Sequence, residues 1–269
     1  MKKTLKYLPL IILISISKFC YSQSYFEAAY NEYFNGDISK SIPLFTKSIK
    51  NSQEVAKSYM YRGAAKSFLK MYDDALLDLD SSKALDSTNT KLNYYYGKLY
   101  LFKGDNSIAI QYYSNAILQN PKDPFAYDER AVAKALLNDF NGAIADENIA
   151  IYIDSTKEYF YSDRGFARLK LKEYNEAIKD FNASLKLEPN QKAYANRGLV
   201  FSLLNQHQKA IDDYTKSLAI NPNDAEVYYY RGISYKAIKK NIEACGDFKK
   251  SNELGYGKAN DVLKKTPCN

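Results

Sequence analysis

The 269-residue sequence has no tryptophan, a single histidine (His207), three cysteines, seven prolines and eleven glycines. Imidazole is the usual base or metal ligand near neutral pH, so one histidine argues against most hydrolytic and metal chemistry. No phosphate-binding glycine loop, paired-histidine motif or Cys-x-x-Cys occurs. His207 lacks a Ser, Cys or carboxylate partner pattern, so no catalytic residue, cofactor or metal is expected. The few cysteines exclude a disulfide-dense scaffold, and the few glycines exclude a collagen-like chain. What is present is apolar bulk: 46% hydrophobic residues, with 26 Tyr and 13 Phe. That is enough to bury a core, and disorder is excluded.

The first residues read as an address. Met1-Lys2-Lys3-Thr4-Leu5-Lys6 is a cationic start, followed by an uncharged run from Tyr7 to Ile16 and a small residue at Ser22. This is the layout of a secretory signal peptide over residues 1–22, too short for a membrane-spanning helix. An uncleaved anchor is the alternative. Acylation at Cys20 is disfavoured by bulky Phe19 and charged Lys18. No later hydrophobic stretch is long enough to span a bilayer. The formal charge of +7 raises the question of nucleic acid. Four of the 38 basic residues lie in the leader, which has no acid, so its removal leaves 34 against 31 acidic residues, or +3. The nucleic-acid reading goes with it.

The rest of the chain repeats. Gly63, Gly97, Gly165, Gly198 and Gly232 recur at about 34 residues or twice that, with Ala29 and Ala131 in the matching places. Each is followed by a small residue (Ser41, Ala75, Ala109, Ala143, Ala177, Ala210, Ala244). Next comes a large one (Phe45, Leu79, Tyr113, Glu147, Phe181, Tyr214, Phe248), then another small one (Ser48, Ser82, Ala116, Ala150, Ser184, Ser217, Ser251). Spacings of three and four mark one face of a helix, so each unit reads as a helical hairpin. Gly36-Asp37, Gly104-Asp105 and Asn138-Asp139 supply turns, and Pro121, Pro189 and Pro222 end second helices. Glycine inside a first helix costs about 1 kcal/mol against Ala, which makes sense only where another helix passes very close.

The pattern resembles the tetratricopeptide repeat, most closely from Asn93-Tyr94-Tyr95-Tyr96-Gly97-Lys98-Leu99-Tyr100 through Ala109, Tyr113, Ala116 and Pro121. The resemblance implies an all-α, right-handed superhelical solenoid of about seven helix-turn-helix units, at about 24–55, 56–89, 90–123, 124–157, 158–190, 191–224 and 225–257. A capping helix and tail would follow at 258–269. Tyr or Asn replaces the family's Trp, Glu147 occupies an aromatic place and Pro43 enters the first turns of a helix. The run from Glu243 through Lys250 to Gly255 resembles the closing segment of exported repeat proteins of Bacteroidota-type bacteria.

Five arginines precede the Gly or Ala place, and an aspartate lies sixteen residues after each: Arg62 with Asp78, Arg130 with Asp146, Arg164 with Asp180, Arg197 with Asp213, Arg231 with Asp247. Antiparallel helices would bring each couple face to face as a partly buried ion pair, the alternative being a ligand-binding arginine ladder. Cys245 and Cys268 form a candidate disulfide closing a loop worth about 3 kcal/mol, or two free thiols.

In the family, the groove lined by first helices binds peptide segments or partner proteins. Carried across, its places are Phe26, Tyr30, Tyr33 and Phe34; Tyr94, Lys98, Leu101 and Phe102; Phe166, Leu169 and Lys170; and Tyr229, Ile233 and Lys236. Aromatics with scattered lysines suit a polypeptide of some acidic character, although packing against the next repeat would also account for them. The expectation is a non-enzymatic binding module, monomeric without its partner, in the periplasm or at the cell envelope. A structural accessory subunit is the alternative.

Overall fold

The structure, a computed structural model, describes residues 24–265. The signal-peptide reading and Cys268 lie outside them. The described residues form helices and no strands. The chain divides into two compact units meeting at Gln119 and Asn120. The first holds three hairpins: α1 (Tyr25–Phe34) with α2 (Ile38–Lys50), α3 (Val55–Phe68) with α4 (Tyr72–Leu85), and α5 (Leu92–Lys103) with α6 (Asn106–Gln119). The second holds four: α7 (Pro124–Leu136) with α8 (Phe140–Ile153), α9 (Glu158–Lys170) with α10 (Tyr174–Leu187), α11 (Gln191–Leu203) with α12 (His207–Ile220), and α13 (Ala225–Ala237) with α14 (Asn241–Glu253). A last helix, α15 (Gly257–Lys265), packs on α14.

The two helices of a hairpin are held at short range by the Gly place. A Cβ on Gly97 would stand 2.6 Å from the Tyr113 ring, and Gly165, Gly198 and Gly232 face Phe181, Tyr214 and Phe248 in the same way. The rings of Tyr113, Phe181 and Tyr214 are fully buried there. The second row of small residues lets α4, α12 and α14 approach the start of their own first helices. There Ser82, Ser217 and Ser251 donate to the carbonyls of Ala56, Gln191 and Ala225.

The turns share one geometry. The residue closing each first helix is left-handed whether it is Gly36, Gly104, Asn138, Asn205, Lys70, Lys172 or Lys239. The next N–H reaches back five residues to a carbonyl of the first helix, as in Met71 to Lys66 and Glu173 to Arg168. Three lysines thus hold a conformation that glycine or asparagine adopts with less strain. Sequence signals found the turns at Gly36, Gly104 and Asn138 and missed those at Asn205 and the three lysines. Pro43 lies inside α2, exposed, without ending it.

Within each unit, successive first helices touch one another, whereas no second helix makes a comparable contact with the next. The first helices therefore line one side of each run.

Gly97→Ala is expected to cost about 1–3 kcal/mol through overpacking against Tyr113, outweighing the gain in helix propensity. Gly246→Ala, with nothing within 4 Å of the added Cβ, is expected to stabilise by about 1 kcal/mol. Urea midpoints at unchanged m-value measure both.

Candidate functional site

In the first unit the first-helix face is aromatic. Phe26, Tyr30 and Tyr33 are half-buried against the core, and Tyr30 meets the edge of Tyr61 at 5.1 Å and Phe34 at 4.4 Å. Phe34, Phe68 and Phe102 close α1, α3 and, one residue from its end, α5; they are 58%, 58% and 39% exposed. Phe68 and Phe102 pack edge to face at 6.0 Å. Lys98 lies over the rings of Tyr94 and Phe102 at 5.6 and 5.7 Å, and Leu101 is half-buried beside them in sequence.

In the second unit Lys170 is exposed and lies over Phe166 at 4.9 Å. Leu136 and Leu203 continue the exposed apolar place at the ends of α7 and α11. Tyr229 is half-buried among Phe248 and Tyr256, Ile233 is half-buried and Lys236 is exposed. Leu169 corrects the sequence reading. It is only 7% exposed and packs with Ala177, Phe181, Ala193 and Val200, so it belongs to the core. Its neighbour Lys170 takes the outward direction, because successive helix positions point about 100° apart. Phe68 and Tyr61 were missed, yet Phe68 stands 34 residues from both Phe34 and Phe102. The register of the repeat would have found it.

Each of the five arginines makes a forked pair with its aspartate, Nε and Nη2 donating at 2.6–3.2 Å. The arginine side chains are 15–18% exposed and the aspartates 3–8%. Lys66, Lys134 and Arg168 add a second cation to Asp78, Asp146 and Asp180 at 2.7–2.8 Å. A tyrosine three residues before each arginine (Tyr59, Tyr127, Tyr161, Tyr194, Tyr228) lies under its guanidinium at 5.2–5.8 Å.

In four of them the third guanidinium nitrogen reaches the preceding hairpin. Arg62 donates to Thr46, Arg164 to Asn148, Arg197 to Asn182 and Arg231 to Thr215. These four arginines therefore join neighbouring hairpins, and their donors are engaged within the protein. In the third hairpin tyrosines replace the couple. Tyr96 stacks on Tyr112 at 5.0 Å and donates to Asp80 of the preceding hairpin at 2.6 Å. Burial and the Asp80 carboxylate hold the Tyr96 phenol well above the ordinary tyrosine range.

Glu147, on α8, stands where other repeats place a ring. It is 1% exposed, and its carboxyl oxygens have no hydrogen-bond partner beyond the neighbouring Asp128 carboxyl, with which a protonated Glu147 can share its proton. Asp128 of α7 and Asp163 of α9 bring a carboxyl oxygen each to within 4.8 Å of one of its own. Burial, reinforced by Asp128 and Asp163, raises the Glu147 pKa well above the ordinary carboxylate range. Burial likewise pushes Asp163 up to about 6, with Lys192 pulling down and Glu129 and Glu158 pushing up. Beside them lies a cavity of about 350 Å³, lined by Ala131, Val132, Ala135, Leu136, Asn138, Phe140, Ala143, Glu147, Asp163, Phe166 and Lys170.

Cys245, on α14, is disulfide-bonded; Cys20 and Cys268 are the other cysteines of the sequence and lie outside the described residues. The His207 ring is half-buried at the start of α12, with Nδ1 unpaired. No helix among the described residues is long and apolar enough to cross a membrane.

Tetratricopeptide-repeat models match residues 158–191, 192–224 and 213–246. Among solved structures, a tetratricopeptide repeat protein from Parabacteroides merdae is similar at a TM-score of 0.65 and 19% identity, covering 90% of this chain and 98% of that one. The C-terminal part of a TPR repeat-containing protein from Cytophaga hutchinsonii is similar at 0.60 and 23%, over 88% and 99% of the two chains. YrrB, described as a TPR protein with an unusual peptide-binding site, is similar at 0.53 and 20%, over 72% and 97%. No curated protein matches the sequence. The fold is an all-α solenoid of helix-turn-helix repeats. Residues 158–246 match tetratricopeptide repeats, a class of repeat that serves as a scaffold for protein interaction.

Two outcomes test the electrostatics. Asp213→Ala leaves Arg197 partly buried without its partner and is expected to cost about 3 kcal/mol, whereas Arg197→Met with Asp213→Leu costs less. Equal losses in urea unfolding would remove the pairing argument. For Glu147 and Asp163 the folded pKa lies above the unfolded value. Their contribution is full below the unfolded pKa and is lost as pH rises through the folded one. The unliganded chain should therefore melt lower at about pH 8 than at about pH 5, and Glu147→Gln should flatten that slope.

Proposed function

We propose that this chain is a non-enzymatic scaffold that binds a polypeptide segment along its first-helix face. The observation that carries the reading is the ladder Phe34, Phe68 and Phe102, one exposed phenylalanine per hairpin. Contiguous exposed apolar surface of this kind is costly to leave in water and marks an interaction surface. Lys98 in the first unit and Lys170 in the second, each over a ring of its own unit's first-helix face, favour a segment with some acidic character. YrrB, a protein of similar fold, is named for a peptide-binding site, which supports the class of ligand and not its identity.

We place the scaffold in the periplasm or at the cell envelope. The leader over residues 1–22 and the disulfide at Cys245 support export, because disulfides persist in oxidising compartments. In this reading Cys268 is the partner of Cys245, tying the tail back to the last hairpin, and the mature chain is monomeric. A second reading, a self-associating structural subunit, draws on the nearly full exposure of Tyr152 and Ile242 on second helices.

Crosslinked capture from an envelope fraction separates these readings. Phe34→Ala/Phe68→Ala/Phe102→Ala, all at exposed positions, is expected to lose partners that the wild type retains. Recovery of the same proteins by both would remove the face assigned here. Light scattering of the purified chain should give a concentration-independent monomer mass; a rising mass favours the structural subunit.

A further inference from the structure

We infer that the cavity between α7, α8 and α9 is a receptor for one basic side chain, a guanidinium or ammonium on an aliphatic stem, carried by the bound polypeptide. The inference rests on the polypeptide-binding reading above and names a specificity site within it.

Every other repeat fills the Glu147 place with Phe, Leu or Tyr, which packs without electrostatic cost. A carboxyl there is buried with no N–H or cation to either oxygen, and its polar surroundings are the carboxyls of Asp128 and Asp163. Burying a carboxyl this way is strongly unfavourable unless a donor or cation completes it. No cation of the described residues pairs with Glu147; its one polar partner is the Asp128 carboxyl, with which it can share a proton. The charged groups around the cluster are of both signs: Lys192 faces Asp163 with Glu129 and Glu158, while Lys170 lines the cavity and lies over Phe166.

Size and lining choose the occupant. A bare metal ion needs no cavity of about 350 Å³, and it requires oxygen ligands or water on its remaining sides. The walls are Ala131, Val132, Ala135, Leu136, Phe140 and Phe166. Such walls suit the methylene stem of arginine or lysine, with the charged head meeting the carboxyls at the far end. Leu136, Phe166 and Lys170 also belong to the first-helix face, so the cavity opens where a bound chain would run. A basic residue on that chain would enter beside Phe166 and satisfy Glu147 on arrival.

Nα-acetyl-arginine methylamide, its lysine counterpart and the neutral citrulline counterpart are the probes, titrated into the full chain by calorimetry. The expected result is saturable binding of a cationic probe at one site per chain, with the citrulline probe about tenfold weaker or worse. Glu147→Gln preserves shape and takes an ionisable acid out of the interior, so it should fold, as circular dichroism would record, and weaken the cationic probe about tenfold or more. Asp163→Asn should weaken it in the same direction. Absence of binding by both cationic probes, equal binding of the citrulline probe, or binding unchanged in Glu147→Gln would overturn the inference. So would saturable binding of calcium chloride alone that is lost in Glu147→Gln and displaces the arginine probe, which would make the cluster a metal site. These probes carry no peptide track, so their failure leaves the capture experiment untouched. Capture that survives the triple phenylalanine variant, with arginine binding intact, would sink the first-helix reading alone.

Discussion

The close crossing of the two helices in each hairpin is the constraint on which the rest of the structure depends. Where Gly97, Gly165, Gly198 or Gly232 stands, a ring from the second helix occupies the space a side chain would take. That contact fixes how near the helices lie, and so how the small residues and serines of the second helix meet the start of the first. It also fixes the helix face on which the Arg and Asp couples meet, sixteen residues apart and on antiparallel helices. A looser crossing would leave those aspartates buried and unpaired, which is far more costly than a loose apolar contact.

Arg62, Arg164, Arg197 and Arg231 then do two jobs at once. Nε and Nη2 close the pair within a hairpin, and Nη1 reaches the hairpin before it. Because the guanidinium is planar and forked, the two bonds are geometrically linked, and lysine could not reproduce them. Tyrosine can, in a different way: Tyr96 stacks on Tyr112 while its hydroxyl reaches Asp80. Stability in such arrays is a sum over repeats and their neighbours, so a side chain serving both terms has an outsized effect on the array.

Deviations from the repeat are where binding chemistry gathers. An exposed phenylalanine at the end of a first helix leaves much of its ring in water, and Glu147 in a ring's place works against the hairpin beneath it. Local rules that are broken without an internal compensation mark surfaces or pockets waiting for something else. The two features differ in kind. The ladder is apolar and regular, suited to a chain laid along several repeats, whereas the carboxyl cavity is singular and acidic.

The sequence by itself determined the hairpin period, the all-helical class and the Arg–Asp couples. Those depend on spacing, and spacing survives in one dimension because helix geometry is fixed at 3.6 residues per turn. Glu147 was visible there as a misfit, though its meaning was not. Only the tertiary structure placed Asp128 and Asp163 beside it, since the three come from three different helices and no period relates them. It also moved Leu169 into the core and left Lys170 outside, a choice set by how the neighbouring helices pack rather than by residue type. The lysines at left-handed turns were equally hidden, because the packed hairpin imposes that conformation on whichever residue occupies the turn.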